Sequence, residues 1–211
     1  MNRFFITAAL LALTVGPVRA QQLPASPNPV PVTLDAKTTA VLILDVARQP
    51  CGAQPRCGAL LPHVASLLAA ARRAGAFVIH SSADPGGITA PTSQPPFLPE
   101  AAPVKGEPVL IGGAQDRFFG TLLDQLLRKH DIATIVLAGW RENGSVLYTA
   151  VGATTRTYTV VVADDATSGP RDYDVAVGRY QLLTQLNANP ENEPLKKGAV
   201  TLSRTDLITF R

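Results

Sequence analysis

The sequence predicts an α/β protein with a mostly parallel sheet covered by helices on both faces. Two observations carry this. Short apolar runs bounded by turn residues alternate with stretches in helical spacing along most of the chain. The runs are continuously apolar, as expected of strands buried on both sides. Composition agrees: of 211 residues, 46% are hydrophobic and 17% charged. That is enough for one sizeable core and argues against disorder.

The elements follow in order. Ala40 to Asp45 (AVLILD) predicts the first strand. Leu61 to Arg73 has apolar residues at 61, 64, 65, 68 and 71, a helical pattern that Gly75 ends. Ala76 to His80 is the second strand, and Ser81 to Pro108 a long loop rich in Pro, Gly and Ser. Phe118 to Lys129 predicts a helix with Leu122, Leu123, Leu126 and Leu127 inward. Thr134 to Ala138 is the third strand, closed by Gly139, and Ser145 to Thr155 the next helix. Tyr158 to Ala163 is the fourth strand, Asp172 to Leu186 a helix, and Ala199 to Leu202 a late strand. No internal repeat and no second domain are evident.

The N-terminus reads as an export signal over residues 1–20. Arg3 precedes an apolar run from Phe4 to Val15, and Val18-Arg19-Ala20 supplies small residues for cleavage after Ala20. The run is too short for a bilayer, which needs about 20 residues, and no later stretch reaches that length. Residues 21–36 read as a flexible, Pro-rich leader, and residues 37–211 as the single domain. The expected location is the periplasm or the exterior. The formal charge is +3, but Arg3 and Arg19 fall in the signal, leaving +1. Such a balance does not suggest a nucleic-acid partner. Cys51 and Cys57, the only two cysteines, are expected to bridge in an oxidising compartment.

Ligands of such sheets bind beyond the carboxyl ends of the strands. Asp45 ends strand one, His80 and Ser81 strand two, Trp140 to Ser145 follow strand three, and Asp164 and Asp165 strand four. Asp45 is the sharpest candidate, because a carboxylate closing an apolar strand is costly unless paired or used. The alternative is an Asp that caps the following loop.

The segment VLILDVARQ, and the block from Phe118 through Asp165 with its Phe-Phe-Gly-Thr start, Gly139, Thr149, Ala150 and Val-Ala-Asp-Asp, resemble the isochorismatase-like or cysteine hydrolase superfamily. The resemblance covers about Lys37 to Arg204. It implies a three-layer α/β/α sandwich with a Rossmann-like sheet and hydrolysis by an Asp, a Lys and a nucleophilic Cys. Asp45 matches the Asp, the proton acceptor. The Lys position, six residues before Phe118, is Gly112, and the Cys position, six beyond Gly139, is Ser145. The chain therefore resembles a diverged member with the Lys and Cys replaced.

A serine hydroxyl is far less acidic than a thiol, and a carboxylate is a weak base for it. Gly112 also removes the cation. The family's thioester route is therefore not expected. His80 is a candidate general base in a Ser145–His80–Asp45 arrangement, the alternative being a histidine that merely closes its strand. Lys105, Arg117 and Arg141 are candidate replacement cations. Arg117 would have to turn inward, and such charges are more often solvated.

The nicotinamidases of the superfamily hold a metal through an Asp and two His, but 47–58 contains no His. No metal or other cofactor is expected. The turn Arg141-Glu142-Asn143-Gly144 corresponds to the family's anion-binding turn before the nucleophile. These four residues, with Trp140 and Phe118, form the expected binding set, Trp140 being equally compatible with core or an oligomer contact. Three readings stay open: an exported family member that binds a small molecule without Cys-based catalysis; a hydrolase of amide, ureido or ester substrates using Ser145; and a non-catalytic homo-oligomer.

Overall fold

The computed structural model describes residues 26–83, 97–185 and 187–211. The expected signal segment and its cleavage site lie outside them. The chain order is β1 (Val32–Leu34), β2 (Thr39–Leu44), α1 (Cys57–Ala74), β3 (Phe77–Ala83), β4 (Val109–Gly112), α2 (Leu123–Lys129), β5 (Thr134–Trp140), α3 (Leu147–Thr155), β6 (Thr159–Ser168), α4 (Asp172–Thr184), β7 (Val200–Ser203) and β8 (Ile208–Phe210).

Six strands form one sheet in the order β4-β3-β2-β5-β6-β7, every neighbouring pair parallel. β2 is fully buried along its length, as its unbroken apolar run requires. Its side chains alternate between two cores. Val41 and Ile43 pack with Leu60, Val64, Leu67 and Leu68 of α1. Ala40, Leu42 and Leu44 pack on the other face with Leu123 and Leu127 of α2, Leu147 and Ala150 of α3, and Leu182 and Leu183 of α4. The result is the three-layer α/β/α sandwich. No helix among the described residues is long and apolar enough to cross a membrane.

The chain runs outward from β2 through β3 to β4, then returns to the centre and runs the other way through β5, β6 and β7. The order therefore reverses between β2 and β5, and a crevice opens beyond their carboxyl ends.

Several elements differ from expectation. β4 emerges after the Pro-rich segment, on the sheet edge. The expected leader is partly structured: Val32–Leu34 pairs in parallel with Ile208–Phe210, and the Val30 amide donates to the Leu202 carbonyl at 3.0 Å. The helix expected from Phe118 starts only at Leu123, because Gly120 takes a left-handed φ of 70°. β6 continues five residues past Ala163 to Ser168. It accommodates this through a register irregularity opposite Leu137 to Gly139.

Candidate active-site pocket

Asp45 follows β2 with a left-handed φ of 56°, a conformation Asp tolerates better than most residues. On the adjacent strand Gly139 has φ 124°, and a Cβ there would lie 2.1 Å from the Leu44 carbonyl oxygen. Only glycine lets the end of β5 press so closely on the end of β2. The chain then passes the cis Trp140–Arg141 peptide into a kinked helical turn, Glu142–Val146, and on into α3. This carries Ser145 over Asp45.

A third side chain completes the centre. Arg117 lies just before α2 and is 1% exposed. Its Nη2 approaches both carboxylate oxygens of Asp45 at 2.6 Å and donates to Ser145 Oγ at 3.3 Å. Its Nη1 donates to the carbonyls of Gly112 (2.8 Å) and Ala114. The Ser145 hydroxyl donates to Asp45 Oδ2, and the Ala83 amide donates to Oδ1 at 2.6 Å. Both oxygens of Asp45 are thus supplied with donors, as a buried carboxylate requires.

Arg117 is aimed inward by α3. The Thr149 hydroxyl accepts from the Arg117 amide at 3.1 Å and donates to the Gln115 carbonyl. Gly152, one turn on, leaves room for the Asp116 carboxylate, which would lie 2.5 Å from a Cβ there. Small and hydroxyl-bearing residues on this face of α3 therefore seat the segment that carries the guanidinium.

The centre opens into a cavity of about 310 Å³, lined by Asp45, Pro50, Ala83, Gly113, Ala114, Gln115, Arg117, Trp140, Arg141, Gly144 and Ser145. A cavity of similar size between α4 and the Ser26–Pro27 segment has, among the described residues, a single charged lining residue, Arg179, already engaged with Asp164 and Glu142.

The expected site residues separate into two groups. Asp45, Ser145, Trp140, Arg141 and Gly144 meet at the cavity, while Gly112 contributes its carbonyl to Arg117. Among the binding set, Glu142, Asn143 and Phe118 do not line it. Glu142 is fully buried, accepts from Thr167 Oγ1 at 3.1 Å, and lies 3.5 Å from Arg179 Nε. Burial pushes its carboxyl up to about 8, and burial raises neighbouring Asp164 as well. Asn143 donates to Asp174, and Phe118 stacks on Tyr158 under the Arg156 guanidinium. His80 is not brought to Asp45 and Ser145. Its Nε2 lies 2.7 Å from Glu107 Oε2, within a cluster in which Arg72 Nε and Nη2 donate to Glu107 at 2.8 Å. Burial lowers the His80 pKa despite that carboxylate.

Arg117 was visible to sequence reasoning as a candidate cation, yet nothing in the sequence fixed its direction. Gly113, Ala114 and Gln115 were missed because β4 was not seen. Once that strand is known, the carboxyl-end rule selects them too. Cys51 and Cys57 form a disulfide. His63 pairs with Asp165 at 3.1 Å. With His80 on Glu107, the histidines do not assemble a metal site, and no cluster of three or more metal-ligating side chains occurs among the described residues.

Comparison with known proteins gives a family-model match to an isochorismatase domain over residues 39–188. Among solved structures, the chain resembles N-carbamoylsarcosine amidase from Thermoplasma acidophilum. There the identity is 23% and the TM-score 0.64, over 80% of this chain and 97% of that one. It also resembles an isochorismatase family protein from Burkholderia thailandensis, with 23% identity and TM-score 0.67 over 85% and 96% of the two chains. A cysteine hydrolase from Pseudomonas syringae pv. phaseolicola is similar at 21% identity and TM-score 0.67, over 86% and 95%. At these identities the likeness shows a shared fold.

Proposed function

Because the chain belongs to the isochorismatase family, we propose that it is an exported member that has given up thiol catalysis and binds a small molecule in the retained pocket. One observation carries this reading. The only two cysteines are bonded to each other, and the residue over Asp45 is a serine. A thioester route needs a free thiolate, and this sequence has none to offer.

The centre also binds its own groups tightly. Asp45 accepts from Ala83, Arg117 and Ser145, so its oxygens are filled before any ligand arrives. No imidazole stands between the hydroxyl and the carboxylate, and a carboxylate is a weak base toward an alcohol. Export is supported by the signal-like N-terminus and agrees with the disulfide.

A second reading is favoured by one contact set: the Ser145 hydroxyl donates to Asp45 while its oxygen accepts from Arg117. That polarisation would assist a Ser145 nucleophile. Assembly through Trp140 has no such support, since the indole is buried.

The test is a joint binding and turnover screen on purified protein with Ser145→Ala and Asp45→Ala beside it. Amides, ureido acids, esters and vinyl ethers are offered. The expected result is ligand-dependent thermal stabilisation without turnover. Turnover that disappears in both variants would replace this reading with serine hydrolysis.

A further inference from the structure

The charges around the cavity narrow the class of ligand it can take. Asp45 and Arg117 compensate each other in the buried centre. Glu142 is engaged below the turn with Thr167 and Arg179. Arg141 differs from all of these. It lines the cavity, is exposed, and makes no ion pair among the described residues. Its side chain lies over Gly144, where a Cβ would meet Arg141 Cγ at 3.0 Å and Nε at 3.1 Å. A side chain larger than hydrogen at 144 would push the arginine from the cavity mouth. Asp174, which feels the charge of Arg141, is already held by Arg171 at 2.8 and 2.9 Å and by Asn143 at 3.2 Å.

Resting on the small-molecule reading above, we propose that Arg141 is a specificity-determining residue and that the ligand is a small, planar monocarboxylate. The guanidinium fork matches a carboxylate with two parallel hydrogen bonds. Trp140, Pro50 and Ala83 are the cavity's larger apolar lining residues, and a lining of this kind suits an aryl or unsaturated body. The volume, at the small end of ligand pockets of about 300–1,000 Å³, suits a single ring. A second negative charge is disfavoured: among the described residues Arg141 is the one lining cation not paired inside the centre, and a deeper anionic group would approach the Asp45 carboxylate.

The molecule carries its own reporter, because Trp140 is the sole tryptophan and is a residue of the cavity lining. Benzoate, neutral benzamide and dianionic phthalate are titrated against the wild type, Arg141→Gln and Arg141→Lys, following tryptophan fluorescence. Benzoate is expected to give a saturable change in the wild type, weakened at least tenfold in Arg141→Gln and less in Arg141→Lys. Benzamide is expected to bind weakly and equally to all three, and phthalate less tightly than benzoate. Arg141 is exposed, so unchanged far-UV dichroism is expected to confirm folded variants. Equal benzoate affinity in wild type and Arg141→Gln, or benzamide binding more tightly than benzoate, would overturn this assignment while leaving the pocket a binding site. Failure of every neutral, cationic and anionic probe in a broader panel to alter fluorescence or melting would overturn the small-molecule reading itself.

Discussion

Arg117 and Asp45 meet at the buried centre of the site, one guanidinium nitrogen lying 2.6 Å from each carboxylate oxygen. Two full charges so deeply placed are tolerable only together. Removing one leaves the other buried without its counter-charge, at a cost of about 3–5 kcal/mol. Arg117→Met is therefore expected to lower the unfolding free energy by about that amount in urea titrations. Asp45→Asn on the same background is expected to recover much of the loss, because it removes the orphaned charge. A single substitution costing under about 1 kcal/mol would place the pair in solvent-like surroundings, against its burial.

Much of this arrangement was legible in the sequence, and the reason is local. AVLIL reads as a strand buried on both faces, and a carboxylate at its end needs an explanation. Glycine at 139 and serine at 145 are likewise fixed by their distance along one strand and turn. What stayed hidden depends on partners far apart in the chain. The inward turn of Arg117 is set by Thr149 and by the space at Gly152, 32 and 35 residues away. β1 was obscured because VTL is too short to signal a strand without Ile208–Phe210 beside it. Glu142 looked like a pocket residue because it shares a turn with Arg141. A helical turn sends successive side chains in different directions, and Glu142 points into the protein.

That burial has a pH signature. Burial raises the Glu142 carboxyl from 4.5 to about 8. Between those values the folded protein keeps a proton that the unfolded chain has released. Its stabilising contribution is full below pH 4.5 and is lost as pH rises through about 8. Asp164 is raised too, so it acts with the same sign. Stability is expected to fall from pH 5 to 8 by up to about 1.4 kcal/mol per pH unit from this one group. Glu142→Gln keeps an acceptor for Thr167 and is expected to flatten the slope, gaining on the wild type as pH rises. Parallel curves for the two proteins across that range would mean that Glu142 is ionised throughout.

The acid limb belongs to a different carboxylate. Burial would raise Glu107, but hydrogen bonds from Arg72, the Val104 amide and His80 outweigh it and hold the group at about 2. The stability this supplies is present above the unfolded value of 4.5 and is lost as pH falls toward 2. Glu107→Gln is expected to cost about 1–3 kcal/mol at pH 7, since it leaves Arg72 and His80 without their shared anion. The penalty is expected to shrink below pH 4, where the unfolded chain takes up a proton that the folded wild type still refuses. Urea titrations at pH 3 and 7 measure both. A penalty unchanged between them would assign the contribution of Glu107 to packing instead of charge.

The disulfide joins stability to the pocket. Cys51 and Cys57 are six positions apart, and Cys51 follows Pro50, a cavity-lining residue. A loop this short restricts the unfolded chain by about 2 kcal/mol. Replacing both with alanine is expected to lower stability by roughly that amount, with some further loss because both sulfurs sit in the core beneath α1. It also frees the Pro50 wall from its covalent anchor at the start of α1. Ligand affinity is therefore expected to fall by a smaller factor than for Arg141→Gln, and through faster dissociation, because the charge that attracts an anion is untouched. Stopped-flow fluorescence of Trp140 separates the two rates. A change confined to association would instead tie the 51–57 loop to entry into the cavity.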